Sequence, residues 1–221
     1  MTAATPTDVD YKALMERLNA LSASKPKLDS HLGELTVQNY LLNTNTKIHC
    51  HYLKLDANGG VREQTLAETL ANYAIDYAIP PGVKEKALEH QRKTGSFSEI
   101  SKMHRKAKGL FKTLGDSGEG GELLLYMLIE AFLGYPQLLC KMSLKTNTQV
   151  HVHGIDGIHG FFEAATNKLK LFWGESKLHK STDGAIKDAI EGLSKFLLDR
   201  QGSTARGRRD IELLRDGVDL S

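Results

Sequence analysis

A chain of 221 residues is long enough to bury a core of its own and fits one domain, or one domain with a helical extension. With 40% apolar residues, 25% charged residues and a mean hydropathy of −0.34 it reads as an ordinary globular protein. The first 25 residues carry no apolar signal core and no run of about 18 apolar residues occurs, which argues against secretion and membrane spanning. The 29 basic and 27 acidic residues leave a net charge of +2, so any nucleic-acid contact has to come from a local patch. Cys50 and Cys140 have no CxxC partner, which argues against structural zinc and a disulfide framework and for a reducing, cytoplasmic setting.

In chain order, residues 1–10 are polar, and Tyr11, Leu14, Met15, Leu18 and Leu21 then recur at helical spacing until Ser22 to Pro26 breaks the pattern. Lys47 to Leu55 alternates through Ile48, Cys50 and Tyr52 into the Asn58-Gly59-Gly60 turn, which predicts a strand. Leu66, Leu70, Tyr73, Ala74 and Tyr77 make one face of a helix over 62–79 that Pro80-Pro81-Gly82 stops. Residues 83–112 predict one or two helices, with Ile100, Met103, Ala107, Leu110 and Phe111 beside a basic face of Lys102, His104, Arg105, Lys106, Lys108 and Lys112.

A glycine-rich loop, Gly115 to Gly121, leads into a buried helix over 122–133. Strands are expected at 138–144, within 150–162 and at 169–178, and a last helix over 183–198. Read in order, 116–198 is α-β-β-β-α.

The chemistry concentrates in Gly154-Ile155-Asp156-Gly157 and Trp173-Gly174-Glu175-Ser176-Lys177. On a strand, Glu175 and Lys177 share a face. Asp156 and Glu175 are equidistant from the Ala165-Thr166 centre of the connecting segment, so a simple hairpin sets the two carboxylates opposite each other. Such a pair suits a hard divalent cation, Mg²⁺ or Mn²⁺, which takes oxygen ligands and keeps several waters. A lysine beside it can orient or help deprotonate a water and offset phosphoryl charge, so the unit reads as phosphodiester hydrolysis. Glu122, at the start of the apolar helix, is expected to add a carboxylate in preference to Glu119, whose glycine neighbours would hold it loosely.

Four blocks stand in order: Glu119-Gly120-Gly121-Glu122-Leu123-Leu124-Leu125, Lys141-Met142-Ser143-Leu144-Lys145-Thr146, Gly154-Ile155-Asp156-Gly157-Ile158-His159 and Gly174-Glu175-Ser176-Lys177-Leu178. Over roughly residues 115–200 they resemble the HamA effectors of the Hachiman anti-phage defence system. The resemblance implies an α/β fold with a PD-(D/E)xK-like restriction-endonuclease core, a small mixed sheet flanked by helices, behind a mainly helical N-terminal portion. It implies Mg²⁺-dependent DNA cleavage held in check by a HamB-like helicase. Asp156 and Glu175 then bind metal, Lys177 completes the nuclease motif and Glu122 is the helix carboxylate. On this reading 1–112 is a partner-binding or regulatory part and 113–221 the nuclease core. A non-catalytic DNA- or protein-binding adaptor with the same fold is the alternative.

Lys141, Lys145 and His159 are candidates for substrate contact, through phosphates and without base readout. The alternating pairs His49/His51 and His151/His153 lack a supporting third ligand and are not read as zinc sites. Arg200, Arg206, Arg208 and Arg209 read as a solvated basic loop, and Phe161, Phe162, Phe172 and Trp173 as core.

Overall fold

A computed structural model describes residues 16, 18, 20, 21, 26–35, 46–111, 118–144 and 156–198. Glu16, Leu18, Ala20 and Leu21 are helical, within the first helix expected from spacing. The chain then forms β1 (Leu32–Leu35) and β2 (Cys50–Leu53), an antiparallel pair with Leu32 opposite Leu53 and Leu35 opposite Cys50. Asp56 closes the turn that follows, accepting the N–H groups of Asn58 and Gly60, both at 2.8 Å.

Three helices come next: α1 (Glu63–Ala78), α2 (Pro81–Thr94) and α3 (Ser98–Leu110). Pro80, directly after the Ile79 cap, has no N–H to continue the α1 ladder, and the fixed φ of Pro81 suits the first turn of α2. Gly95, at φ 71°, terminates α2 in the left-handed conformation that a side chain disfavours. The 83–112 region is therefore two helices.

α4 (Glu119–Leu128) runs directly into a π-helical turn, Ile129–Leu133, that Gly134 terminates. Leu123, Tyr126 and Met127 of α4 share one buried cluster with Leu66, Tyr77 and Ala78 of α1, Ala107 and Leu110 of α3, and Leu28 and Leu32. The apolar stripes read from the sequence on 62–79 and 83–112 thus meet a helix from the second half of the chain. Burying each such large aliphatic side chain stabilises by about 1.5–3 kcal/mol.

Strands β3 (Gly157–Glu163) and β4 (Lys168–Gly174) form the second antiparallel pair, followed by α5 (Thr182–Leu198). The architecture is mixed α/β: five helices and two small antiparallel sheets among the described residues. The expected small mixed sheet is not present among these residues.

The strand expected at 138–144 is corrected. Only Gln137 bridges to His159, with Leu138 N–H donating to Ile158 C=O at 2.8 Å, and Lys141–Leu144 is a 3₁₀ turn. Two local bonds capture the backbone there: the N–H and the hydroxyl of Ser143 both donate to Cys140 C=O, at 3.0 and 2.7 Å. Such side-chain-to-backbone bonding competes with a ladder. The strand expected over 169–178 likewise stops at Gly174.

Candidate active site

The hairpin register is the one counted from its turn. Gly157 pairs with Gly174 and Glu163 with Lys168, around Ala164 to Asn167, where Asn167 takes φ 55°. Asp156 and Glu175 each lie one residue beyond the last pair, Gly157 with Gly174. The Asp156 N–H donates to Gly174 C=O at 2.9 Å, and its Oδ2 accepts the Ser176 N–H at 2.7 Å. Asp156 is thereby latched to the strand exit that carries Glu175 and Lys177. There Lys177 Nζ donates to Glu175 Oε1.

Three glycines let helices approach this exit. A Cβ on Gly121 of α4 would lie 2.7 Å from Ser176 Oγ and 3.1 Å from Leu178 Cγ. On Gly174 it would lie 3.0 Å from Leu125 of α4, and on Gly192 of α5 2.8 Å from Glu175 Oε1. Glu122, one residue after Gly121, comes from α4 and is held by the Tyr77 hydroxyl of α1, which donates to its Oε2 at 3.0 Å. Glu122, Asp156, Glu175 and Lys177 are therefore brought together by four elements: α1, α4, the strand exit and α5.

Asp156 and Lys177 feel the charges around them. Burial pushes the Asp156 carboxyl up to about 6, and the nearby charges of Glu122 and Glu175 push the same way; the Ser176 N–H and Lys177 oppose. Burial, with Glu122 and Asp156 nearby, also raises the Tyr77 phenol, so it stays a donor. Lys177 is shifted upward by its hydrogen bond to Glu175 and by the charges of Glu175, Asp156 and Asp188. It is a protonated donor here. Asp188 of α5 in turn lies 3.1 Å from His179 Nε2.

The HamA family model matches residues 29–219. The chain belongs to the HamA family. Membership makes it a protein of the Hachiman anti-phage defence system. No curated protein and no solved structure matches it.

In this HamA chain the expected substrate contacts fare differently from the carboxylates. His159 is 0% exposed: its Nδ1 lies 2.9 Å from Tyr135 C=O, and burial drives its pKa down to about 4, so the ring is neutral. Lys141 is buried as well, and Lys145 lies outside the described residues, as do His151, His153 and the tail arginines. His159 and Lys141 thus face the interior and not the solvent. His49 lies 3.4 Å from Glu34, and His51 stacks on Phe132 with centroids 4.1 Å apart.

Glu119 also departs from expectation. It is the first residue of α4 and is buried, because the helix begins three residues earlier than the apolar run, its first turn closed by Glu122 N–H on Gly118 C=O at 3.0 Å. Tyr77 and Glu130 were not anticipated. Tyr77 was visible only as an apolar-stripe position; the signal for Glu130 was a lone acid inside an apolar helix. Its carboxylate accepts the Gln137 N–H at 2.9 Å, and burial raises its pKa to about 7 against the pull of that N–H, of Tyr126 and of Lys84.

The donor set fits a hard cation in kind: all-oxygen carboxylates whose mutual repulsion, visible at Asp156, a divalent charge would relieve. Among the described residues no group of three His, Cys, Asp or Glu is arranged to hold a metal ion, so the fit rests on a carboxylate pair. Among the described residues no helix is long and apolar enough to cross a membrane.

Proposed function

We propose that this chain is a metal-dependent deoxyribonuclease, a Hachiman effector with a PD-(D/E)xK-like centre that a HamB-like helicase holds in check. One observation carries the reading: Asp156 is latched by the Ser176 N–H between Glu175 and Lys177, with Glu122 close enough to raise its proton affinity. The family resemblance supports DNA as the substrate and the helicase as the partner.

Asp156 and Glu175 would hold Mg²⁺, or Mn²⁺, which when bound would supply Lewis acidity toward the scissile phosphodiester. The chain's own groups do the rest. Lys177, kept protonated, orients the attacking water and donates to the phosphoryl oxygens as negative charge builds there. Glu122, fixed by Tyr77, adds a carboxylate to the hydration shell of the site. The Ser176 N–H fixes the Asp156 carboxylate so that its free oxygen has one direction to face.

The adaptor reading keeps one observation in its favour: Glu175 is already engaged by Lys177. The deciding experiment incubates the purified chain, alone and with the helicase, with supercoiled plasmid and Mg²⁺ or EDTA, beside a Glu175→Ala, Lys177→Ala variant. Metal-dependent nicking that the variant loses supports the nuclease. No cleavage under any condition, with both proteins binding DNA or helicase equally, leaves the adaptor.

A further inference from the structure

Charge is not spread evenly along this chain. Residues 81–110, which make α2 and α3, carry eight Lys and Arg against three Glu, a net +5, so the remainder of a chain of net +2 sums to −3. The centre itself is dense in carboxylates, and a polyanion needs another surface to be held by.

The surface with the required sign is the outer face of α3. At 100° per residue, Met103, Ala107 and Leu110 share one arc and are partly or fully buried. Lys102, His104, Arg105, Lys106 and Lys108 occupy the other arc and are all exposed. The residues interleaved among them, Ser98, Ser101 and Gly109, are small and exposed, so a backbone can approach closely. Glu99, bonded to Lys102 at 2.6 Å, is the one acid on the helix. A solvated helix face usually alternates in sign; this one does not.

Its position is the second observation. The C-cap residue of α3, Phe111, has its ring 6.2 Å from that of Tyr77, whose hydroxyl is bonded to Glu122. The C-terminal end of α3 therefore packs against the tyrosine that bonds Glu122, and the helix runs back from there for 13 residues, about 20 Å, a length that spans about six phosphates of one DNA strand.

We propose that the exposed arc of α3 is a sequence-independent docking rail for duplex DNA phosphates, holding the duplex beside the Glu122, Asp156, Glu175 and Lys177 centre. The choice of DNA as the polyanion rests on the nuclease reading above; the rail itself rests on charge and placement.

The test measures binding of a short fluorescent duplex to the full chain by anisotropy in EDTA, across a series of salt concentrations, so that no cleavage is required. An Arg105→Glu, Lys106→Glu, Lys108→Glu variant is compared with a charge-matched Lys27→Glu, Lys47→Glu, Lys168→Glu control, each shown to melt like wild type. The rail predicts at least about tenfold weaker binding in the first variant, and a salt slope smaller by about 3, since each phosphate no longer neutralised removes about 0.9. Equal affinity and slope in the two variants overturn it. Glu99→Gln, which releases Lys102, is expected to tighten binding a few-fold; no change or weakening counts against the rail.

Failure of the rail is distinguishable from failure of the nuclease. Cleavage lost in Glu175→Ala, Lys177→Ala while the α3 variant binds like its control removes only the rail. Binding through α3 with no cleavage in any metal removes only the nuclease. Binding of polyglutamate in place of duplex would assign the face to an acidic protein surface and overturn the proposal.

Discussion

The two ends of the helix that runs from Glu119 through Leu133 hold an acid in opposite ways, half-buried at Glu122 and buried at Glu130. At the N-terminal end, Glu122 stands where the helix dipole favours negative charge, with a tyrosine hydroxyl from α1 and two further carboxylates, Asp156 and Glu175, nearby. At the other end, in the π turn, Glu130 receives the Gln137 N–H and Tyr126, yet burial dominates and lifts its pKa to about 7. Both acids are tied down by hydrogen bonds. One lies within a group of interacting charges, and the other is a clamp that fastens the 136–138 segment against β3. Hydrogen-bond partners alone do not distinguish a reactive carboxylate from a structural one, and Glu130 too feels charge, from Lys84 and Asp76; what sets the other end apart is two carboxylates and a lysine gathered at one strand exit.

Breaking the first end has the largest expected effect. Glu175→Ala should reduce metal-dependent plasmid cleavage by about 10³-fold, about 4 kcal/mol of barrier, while Glu130→Gln stays within a few-fold of wild type in the same assay. Equal losses would mean that the two ends do one job.

The second end is sharpened by pH. Glu130 rises from an ordinary 4.5 to about 7 on folding, so between those values the folded chain keeps a proton that the unfolded chain gives up. Stability from this group is complete below about pH 4.5, falls as pH rises through the window, and stays reduced above about 7. The shift corresponds to up to about 3 kcal/mol. Between pH 5 and pH 8, Asp156 adds to the fall and His159 opposes it in both proteins, so denaturant unfolding should show the change in stability across that window shift by Glu130's share in Glu130→Gln relative to wild type; an identical change in the two would assign the effect elsewhere.

Backbone approach is the next test. Gly121→Ala meets Ser176 and Leu178 and is expected to cost about 1–2 kcal/mol and to depress cleavage by disturbing the Asp156 latch. Gly120→Ala, one residue away in open space, should stabilise by about 0.5–1 kcal/mol with cleavage intact. Melting and nicking measured on both variants read the contrast, and two variants that behave alike would end it.

The smallest effect belongs to Tyr77→Phe. It keeps the ring contacts with Phe111 and Tyr126 and removes only the bond to Glu122, about 1 kcal/mol in a denaturant titration. An unchanged midpoint would show Glu122 to be held by something else.

What the sequence made legible was whatever depends on counting. The α1 stripe of Leu66, Leu70, Tyr73, Ala74 and Tyr77 and the hairpin register from Glu163–Lys168 to Gly157–Gly174 both follow from a fixed period, and both stand in the structure. What escaped depends on distant partners. Glu119 looked loose between glycines because nothing nearby in sequence says that Gly121 seats the helix against Ser176. Residues 138–144 read as a strand because apolar content does not report that Ser143 will turn back onto Cys140. His159 looked available from its spacing to Asp156, but its neighbour Gly157 leaves room for the ring to fold inward, and Tyr135 C=O receives it. The basic face of α3 was visible as composition; that the helix ends at Phe111 against the tyrosine that bonds Glu122 was not.

The turn at residues 164–167 lies seven paired residues, about 23 Å, from the carboxylates, yet it sets which side chain Asp156 meets. The hairpin therefore acts as a ruler read from its far end. A one-residue slip of that register would bring Gly174 or Ser176 opposite Asp156 and turn Glu175 to the other side, with no atom of the centre replaced. Length changes matched on both arms would pass unnoticed by the chemistry, so this stretch of the surface accepts insertions by parity instead of by bulk.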